Sequence, residues 1–302
     1  MRTASEESWT EPIARWHATG DSNAQYERLQ RCGELLARWP QLPFEPAPTD
    51  CFRVENELWI WQPGVGGIRC LADRPEFDAY PSREVAPVWF EQLVTRSWLP
   101  AMYPVWGRQV IHASAVFHID SGDVIAFAGP SGAGKSTLAY GLASRPGWQS
   151  LCDDTLAFSG LDGTIALHPF KNESRLRPAS AAHFGIAAHR PLPIVWPSRS
   201  LTLRLVYFAV GENTPAHNVT ITPLKASESY PLLLEQAYAL TLEIANNNQQ
   251  LMRDYLMVAA TVPASRLTYR RSFDAFEAVL DGIDAHARAV AHVGRSLSAA
   301  AS

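Results

Sequence analysis

The sequence is poor in the features that place a protein quickly. Its four cysteines, Cys32, Cys51, Cys70 and Cys152, are scattered, with no Cys-x-x-Cys pair and no histidine at zinc-ligand spacing. That argues against a disulfide scaffold or a zinc module, and reduced structural thiols are expected. No stretch approaches the roughly 18 uninterrupted apolar residues of a membrane helix. The opening Met1-Arg2-Thr3-Ala4-Ser5-Glu6-Glu7 has no apolar signal core, so a cytoplasmic protein is expected. A positive balance is also missing: 26 basic against 30 acidic residues give a net charge of −4. General attraction to nucleic acid or to an anionic membrane is therefore not expected. There is no internal repeat and no long low-complexity segment. What remains is 302 residues at 47% apolar, enough to bury a sizeable core in one large domain or two modest ones.

Against that background one octapeptide stands out, Gly129-Pro130-Ser131-Gly132-Ala133-Gly134-Lys135-Ser136. Its four fixed positions arise by chance in roughly one chain in a hundred of this length. The context is right as well, because 123–128 reads as a buried strand and 137–143 as a helix leaving the loop. Glycines let the backbone curl so that the amides of Ser131, Gly132, Ala133 and Gly134 face a phosphate chain, and the helix N-terminus at Ser136 and Thr137 adds partial positive charge. Lys135 then reaches the outer phosphates, and the Ser136 hydroxyl holds Mg²⁺. A nucleotide is the expected ligand.

The first hundred residues differ from the rest, holding seven of the ten tryptophans. They read as a separate small α+β domain, 1–104, whose tryptophans pack a core rather than form a stacking surface. Within it 22–39 has helical apolar spacing, 51–62 reads as two strands around Glu55-Asn56, 67–72 as a third, and 86–103 as a connecting helix. From 109 the pattern is that of a sheet. The segment 110–117 is apolar and β-branched, and Asp120-Ser121-Gly122-Asp123 is a turn, so the two strands flanking it pair antiparallel and the sheet is mixed. Further strands are expected at 149–154, 201–210, 218–221 and 266–269, with helices over 232–245, 247–260 and 273–292. The tail 296–302 is small, polar and expected to fray.

A phosphate loop alone says only that a nucleotide binds; its partners decide the reaction. The helix after the loop climbs about 15 Å in ten residues, and the next strand returns at about 3.3 Å per residue. Asp153 and Asp154 thus come back to the loop's edge of the sheet. One carboxylate can order Mg²⁺ while the other accepts a proton from an attacking hydroxyl. The bland alternative is a polar turn with Asp154 capping Thr155. Alternation puts His112 and Ser114 on one strand face, where His112 either contacts phosphate, orients a carboxylate or is merely structural. The segment 171–177 is polar and charged, with Glu173 and Arg175 available to complete a metal and phosphate shell, although an exposed loop looks the same. His183, His189 and His217 have no partner at ligand spacing and read as structural.

No Asn-Lys-x-Asp guanine reader, Leu-Ser-Gly-Gly-Gln signature or arginine-rich lid is present, which weakens a GTPase, a transporter ATPase and a nucleoside-monophosphate kinase. Instead His112-Ala113-Ser114-Ala115-Val116, the Asp120–Asp123 turn, the loop and Asp153-Asp154 resemble, in order and spacing, the catalytic domain of HPr kinase/phosphorylase. Its nucleotide fold is similar to that of phosphoenolpyruvate carboxykinase. The resemblance covers roughly 105–285. It implies an α/β phosphate-loop kinase domain using ATP and Mg²⁺, with one of Asp153 and Asp154 as base and the other near the metal. It also implies a functional His112, and a Glu-x-Arg pair at Glu173 and Arg175. The resemblance stops at Leu176-Arg177-Pro178, where the family continues with glycines, and it does not extend to the first hundred residues. The chain therefore looks closer to stand-alone relatives encoded with ribosomally made peptides, lasso peptides included, which phosphorylate a serine of the precursor. The expected partner is a serine-bearing peptide or small protein docked with help from 1–104, and the resemblance also implies a homo-oligomer. A small-molecule kinase and a non-catalytic nucleotide-dependent interaction module are the alternatives.

Overall fold

A computed structural model of the chain describes residues 12–17, 21–39, 47–161, 163–170, 173–188, 190, 192–194, 196–213, 217–238 and 248–300, with 292–300 as helix backbone. The chain forms two compact units, 1–108 joined by 238–249, and 109–237 joined by 250–302.

The first unit is built on a six-stranded sheet in the order β1-β6-β5-β4-β3-β2. Its strands are β1 (Ile13–Trp16), β2 (Glu34–Trp39), β3 (Thr49–Val54), β4 (Glu57–Gln62), β5 (Gly66–Leu71) and β6 (Glu76–Pro81). Among its described strands only β1 and β6 pair parallel. The expected strand pair around Glu55-Asn56 is β3 and β4. The expected helix over 22–39 is half wrong: α1 (Ser22–Cys32) stops at Gly33, and Glu34–Trp39 is a strand. Leu35, Leu36 and Trp39 do have helical spacing, but pairing with β3 overrides it through a register shift between Leu35 and Ala37. Gly33 supplies the break, since a Cβ there would sit 2.8 Å from the Leu29 carbonyl. Trp59, Trp61 and Trp98 are buried, whereas Trp16 and Trp89 are exposed at 48% and 42%, so the expected core packing holds for only some of these tryptophans; Trp9 lies outside the described residues. The expected connecting helix is a helical run from α2 (Pro87–Leu93) through a π-turn at Val94–Trp98 to α3 (Leu99–Met102) and a 3₁₀ turn at Tyr103–Trp106. All four cysteines are free.

The second unit is centred on a mixed six-stranded sheet in the order β10-β8-β9-β15-β17-β16. Here β7 is Gln109–Ile111, β8 Ala113–His118, β9 Asp123–Ala128, β10 Trp148–Cys152, β15 Thr202–Glu212, β16 Val219–Leu224 and β17 Ala264–Arg270. As expected, β8 pairs antiparallel with β9 across the Asp120–Asp123 turn, whereas β9, β15 and β17 run parallel. Every residue of β9 is buried, the mark of a strand covered on both faces. On one face Ile125, Phe127, Leu205 and Leu267 pack under α4 (Lys135–Ala143) and α8 (Phe276–Ala300). On the other, Ala126, Val206 and Phe208 pack with Leu233 of α6 (Ala226–Glu235) and Tyr255 and Val258 of α7 (Asn248–Thr261). Each fully buried side chain of this size contributes about 1.5–3 kcal/mol.

The single strand expected over 110–117 is broken at His112. Its first part, β7, joins β11 (Leu156–Leu161) and β12 (Thr164–His168) in a separate three-stranded sheet. The His112 amide leaves the ladder and donates to the Gln236 carbonyl at 2.8 Å. The helix expected over 232–245 is misplaced: α6 runs Ala226–Glu235, Ala237 forms a β-bridge with Ile111, and 239–247 lie outside the described residues. The tail expected to fray continues α8 as far as Ala300. Two short strands, β13 (Glu173–Ser174) and β14 (Leu192–Pro193), and α5 (Pro178–His183) complete the unit. No described helix is long and apolar enough to cross a membrane.

Candidate functional site

The site forms where the parallel strands end. Strand β9 runs into the glycine-rich loop, and Gly129, Gly132 and Gly134 all take positive φ, at 139°, 82° and 91°. Side chains are excluded at two of these positions by contact as well as by conformation. A Cβ on Gly129 would lie 2.9 Å from the Ala209 carbonyl, and one on Gly134 would lie 2.0 Å from the Tyr269 hydroxyl. That hydroxyl donates to the Ala133 carbonyl at 2.6 Å, tying β17 to the loop. The Ala133 amide is spent inside the turn on the Pro130 carbonyl at 3.1 Å.

Lys135 opens α4 and is buried. Its Nζ donates to the carbonyls of Gly129 at 2.9 Å and Pro130 at 3.3 Å. Burial pushes its pKa down, against the pull of Asp154 and Asp153. The charge is therefore held in place by the loop and by the two aspartates rather than by water.

Asp153 and Asp154 follow β10, whose antiparallel pairing with β8 brings them to this edge. They are placed very differently. Asp153 is 4% exposed and accepts from the Ser114 hydroxyl at 2.6 Å, from the Arg175 amide at 3.3 Å and from the Ser136 hydroxyl. Asp154 opens into the cavity in the left-handed region, at φ 63°, a conformation Asp tolerates better than most residues. The His112 Nε2 lies 3.6 Å from its Oδ1. Because the strand breaks at His112, alternation does not set the common face expected for His112 and Ser114, yet Ser114 meets Asp153 and His112 meets Asp154.

Burial, followed by the neighbouring Asp154 charge, holds the Asp153 carboxyl above its usual range despite its three donors. The unfolded chain ionises this group first, so above the raised pKa its charge costs stability, and the cost disappears as pH falls below the ordinary value near 4. The melting temperature of wild type relative to Asp153→Asn should therefore fall as pH rises from about 4 to about 7. A difference that stays flat over that range, or moves the other way, would overturn this account.

These groups share a cavity of about 460 Å³, within the usual range for small-molecule sites. Five cations line it, Lys135, Arg175, Arg177, Arg270 and Arg271, in a chain of net charge −4. Arg177 donates to the Ser131 hydroxyl at 3.3 Å and Arg271 to the Gly132 carbonyl at 3.0 Å. Of the expected residues, Ser131, Gly132, Gly134, Lys135, Ser136, Thr137, His112, Asp154 and Arg175 line the cavity. Gly129 and Ala133 shape the loop from behind, and Asp153 lies beneath. Thr137 shares its hydroxyl with Ser180 of α5 at 2.8 Å. Glu173 is exposed, pairs with Arg175 at 3.2 Å, and does not line the cavity. Lys171 and Asn172 lie outside the described residues.

Sequence reasoning missed Arg177, Arg270, Arg271 and Phe273. The available signal was Arg270-Arg271 at the carboxyl end of a strand, since open α/β sheets gather their ligands at that edge. Using it required knowing that β17 runs parallel to β9. Among the described residues no group of three or more His, Cys, Asp and Glu is placed to hold a metal ion. The donors present, a hydroxyl and a carboxylate in contact at Ser136 and Asp153, suit Mg²⁺, which takes one or two protein carboxylates and completes its shell from water and phosphate.

No family model matches the chain, and no curated protein matches it. Among solved structures it is similar to the HPr(Ser) kinase/phosphatase from Coxiella burnetii, at 13% identity and a TM-score of 0.35, over 63% of this chain and 97% of that one.

Proposed function

We propose that the chain is an ATP- and Mg²⁺-dependent phosphotransferase that moves the γ-phosphate to a serine hydroxyl of a peptide or small protein. The observation that carries this reading is the convergence on one cavity of the loop with Lys135 and Ser136, four arginines and Asp154, with the buried Asp153 directly beneath. A binding module needs the first two sets and one carboxylate for Mg²⁺. A second carboxylate that reaches the cavity is what transfer chemistry adds.

The roles follow from position. The loop amides and the α4 N-terminus cradle the phosphates, while Lys135, Arg177 and Arg271 neutralise them at the end where charge develops. Ser136 and Asp153 would hold Mg²⁺, which neutralises phosphate charge when bound. Asp153 has the raised pKa that suits a base, but its oxygens are committed to three donors. Geometry takes precedence over pKa here, and Asp154 is the carboxylate that reaches the cavity. Asp154 accepts the acceptor's proton as its oxygen bonds to the γ-phosphorus and the bond to the β–γ bridging oxygen breaks, releasing ADP. His112 positions Asp154. The serine acceptor rests on the resemblance of the 112–116 segment, the loop and the paired aspartates to HPr kinase.

The test is to incubate the full chain with ATP, Mg²⁺ and, separately, serine-containing peptides, HPr and free serine. ADP release and the mass of one added phosphate are then read. Acceptor-dependent ADP release with a phosphorylated peptide is expected. Phosphorylation of free serine alone would move the assignment to a small-molecule kinase, and ATP binding without transfer to any acceptor would remove the catalytic reading.

A further inference from the structure

We propose that the Phe273 ring is the platform on which the nucleotide's base stacks. This rests on the nucleotide reading of the cavity and extends it to the other half of the ligand. The cationic residues account for an anionic chain, and a base needs in addition a flat aromatic face. Phe273 does, and it lines the same cavity two residues beyond Arg271.

Its setting is that of a presented surface rather than a core residue. Phe273 is 38% exposed, the one phenylalanine or tryptophan of the second unit's described residues left in the open. The packing duty in this turn belongs to Phe276, which is buried against α4 where Gly141 has no side chain; a Cβ there would be 2.7 Å from the Phe276 ring. The Phe273 ring is nonetheless held firmly. His183 stacks on it at 4.2 Å between centroids and 14° between planes, and Phe276 meets it edge-on at 5.9 Å and 70°. Since Phe273 lines the cavity and His183 does not, the imidazole backs the far face and leaves the near face to the ligand. The 3₁₀ turn carrying it is fixed by Ser272, whose hydroxyl accepts from the Asp274 amide at 3.2 Å. The ring is thus ordered before any ligand arrives, so little freedom is lost when a base lies against it.

Calorimetric titration of the full chain with Mg·ATP and with Mg·tripolyphosphate separates the two halves of the ligand. Base stacking on one aromatic ring is worth roughly 1–3 kcal/mol. Phe273→Ala should therefore weaken ATP binding by about 5- to 150-fold while leaving tripolyphosphate affinity unchanged, which also shows that the variant is folded. Phe273→Leu keeps an apolar side chain without a π face and should lose ATP in the same way. Unchanged ATP affinity in either variant, or an equal loss for both ligands, would overturn the platform while leaving the nucleotide reading intact. Wild-type protein that bound neither ligand would overturn both.

Discussion

Lys135→Ala should lower phosphoryl transfer by about 10²- to 10³-fold or more, the usual cost of removing one preorganised electrostatic partner of the transition state, and weaken ATP binding. It should do so without unfolding the protein. Lys135 is buried at the start of α4, and its Nζ bonds to two loop carbonyls, Gly129 and Pro130. Burial already works against its charge, so loss of the ammonium removes an electrostatic burden along with two hydrogen bonds. The loop amides stay, because their course is set by the glycines at 129, 132 and 134 and by the Tyr269 bond to Ala133. Residual, weaker ATP binding is therefore expected instead of none. Calorimetry with Mg·ATP, a turnover assay and a thermal melt on the same preparation check the three parts. Undiminished binding and turnover would remove the phosphate-loop assignment.

Parts of this site were legible because they depend on local rules. A glycine that must adopt positive φ announces itself in sequence, and strand and helix rises carried Asp153 and Asp154 back to the loop by arithmetic alone. The β8–β9 hairpin was legible from its Asp-Ser-Gly-Asp turn. What was hidden depends on the meeting of distant segments. Residues 34–39 carry a helical apolar period, yet they form a strand because β3 offers a partner and Gly33 ends α1. The break at His112 reflects the Gln236 carbonyl more than a hundred residues away in sequence. Arg271 and Phe273 reach the cavity only because β17 lies parallel to β15, a pairing no local pattern states. The Glu173 expectation sits between these cases. Its short spacing to Arg175 correctly suggested contact, but the pair closes on itself and the carboxylate stays out of the cavity.

Asp154→Asn and Asp153→Asn should both impair transfer, each by its own route. Loss of a general base costs about 10²- to 10⁴-fold in rate, and that is the effect expected at Asp154. Asparagine is the substitution of choice because it tolerates the left-handed backbone at φ 63° that a β-branched or bulky residue would strain. The Asp154 variant should keep the wild-type Mg²⁺ requirement and lose the acidic limb of its pH–rate profile, since the titrating base is gone. Asp153 is held by Ser114, Ser136 and the Arg175 amide, so its replacement should demand more Mg²⁺ for half-maximal activity and leave an acidic limb in place. Measuring initial rates across pH and Mg²⁺ for both variants tells the two roles apart. A flattened limb in Asp153→Asn together with a raised Mg²⁺ demand in Asp154→Asn would exchange the roles. Full activity in both would return the pair to the status of a polar turn after β10, and with it the cavity to a binding site without chemistry.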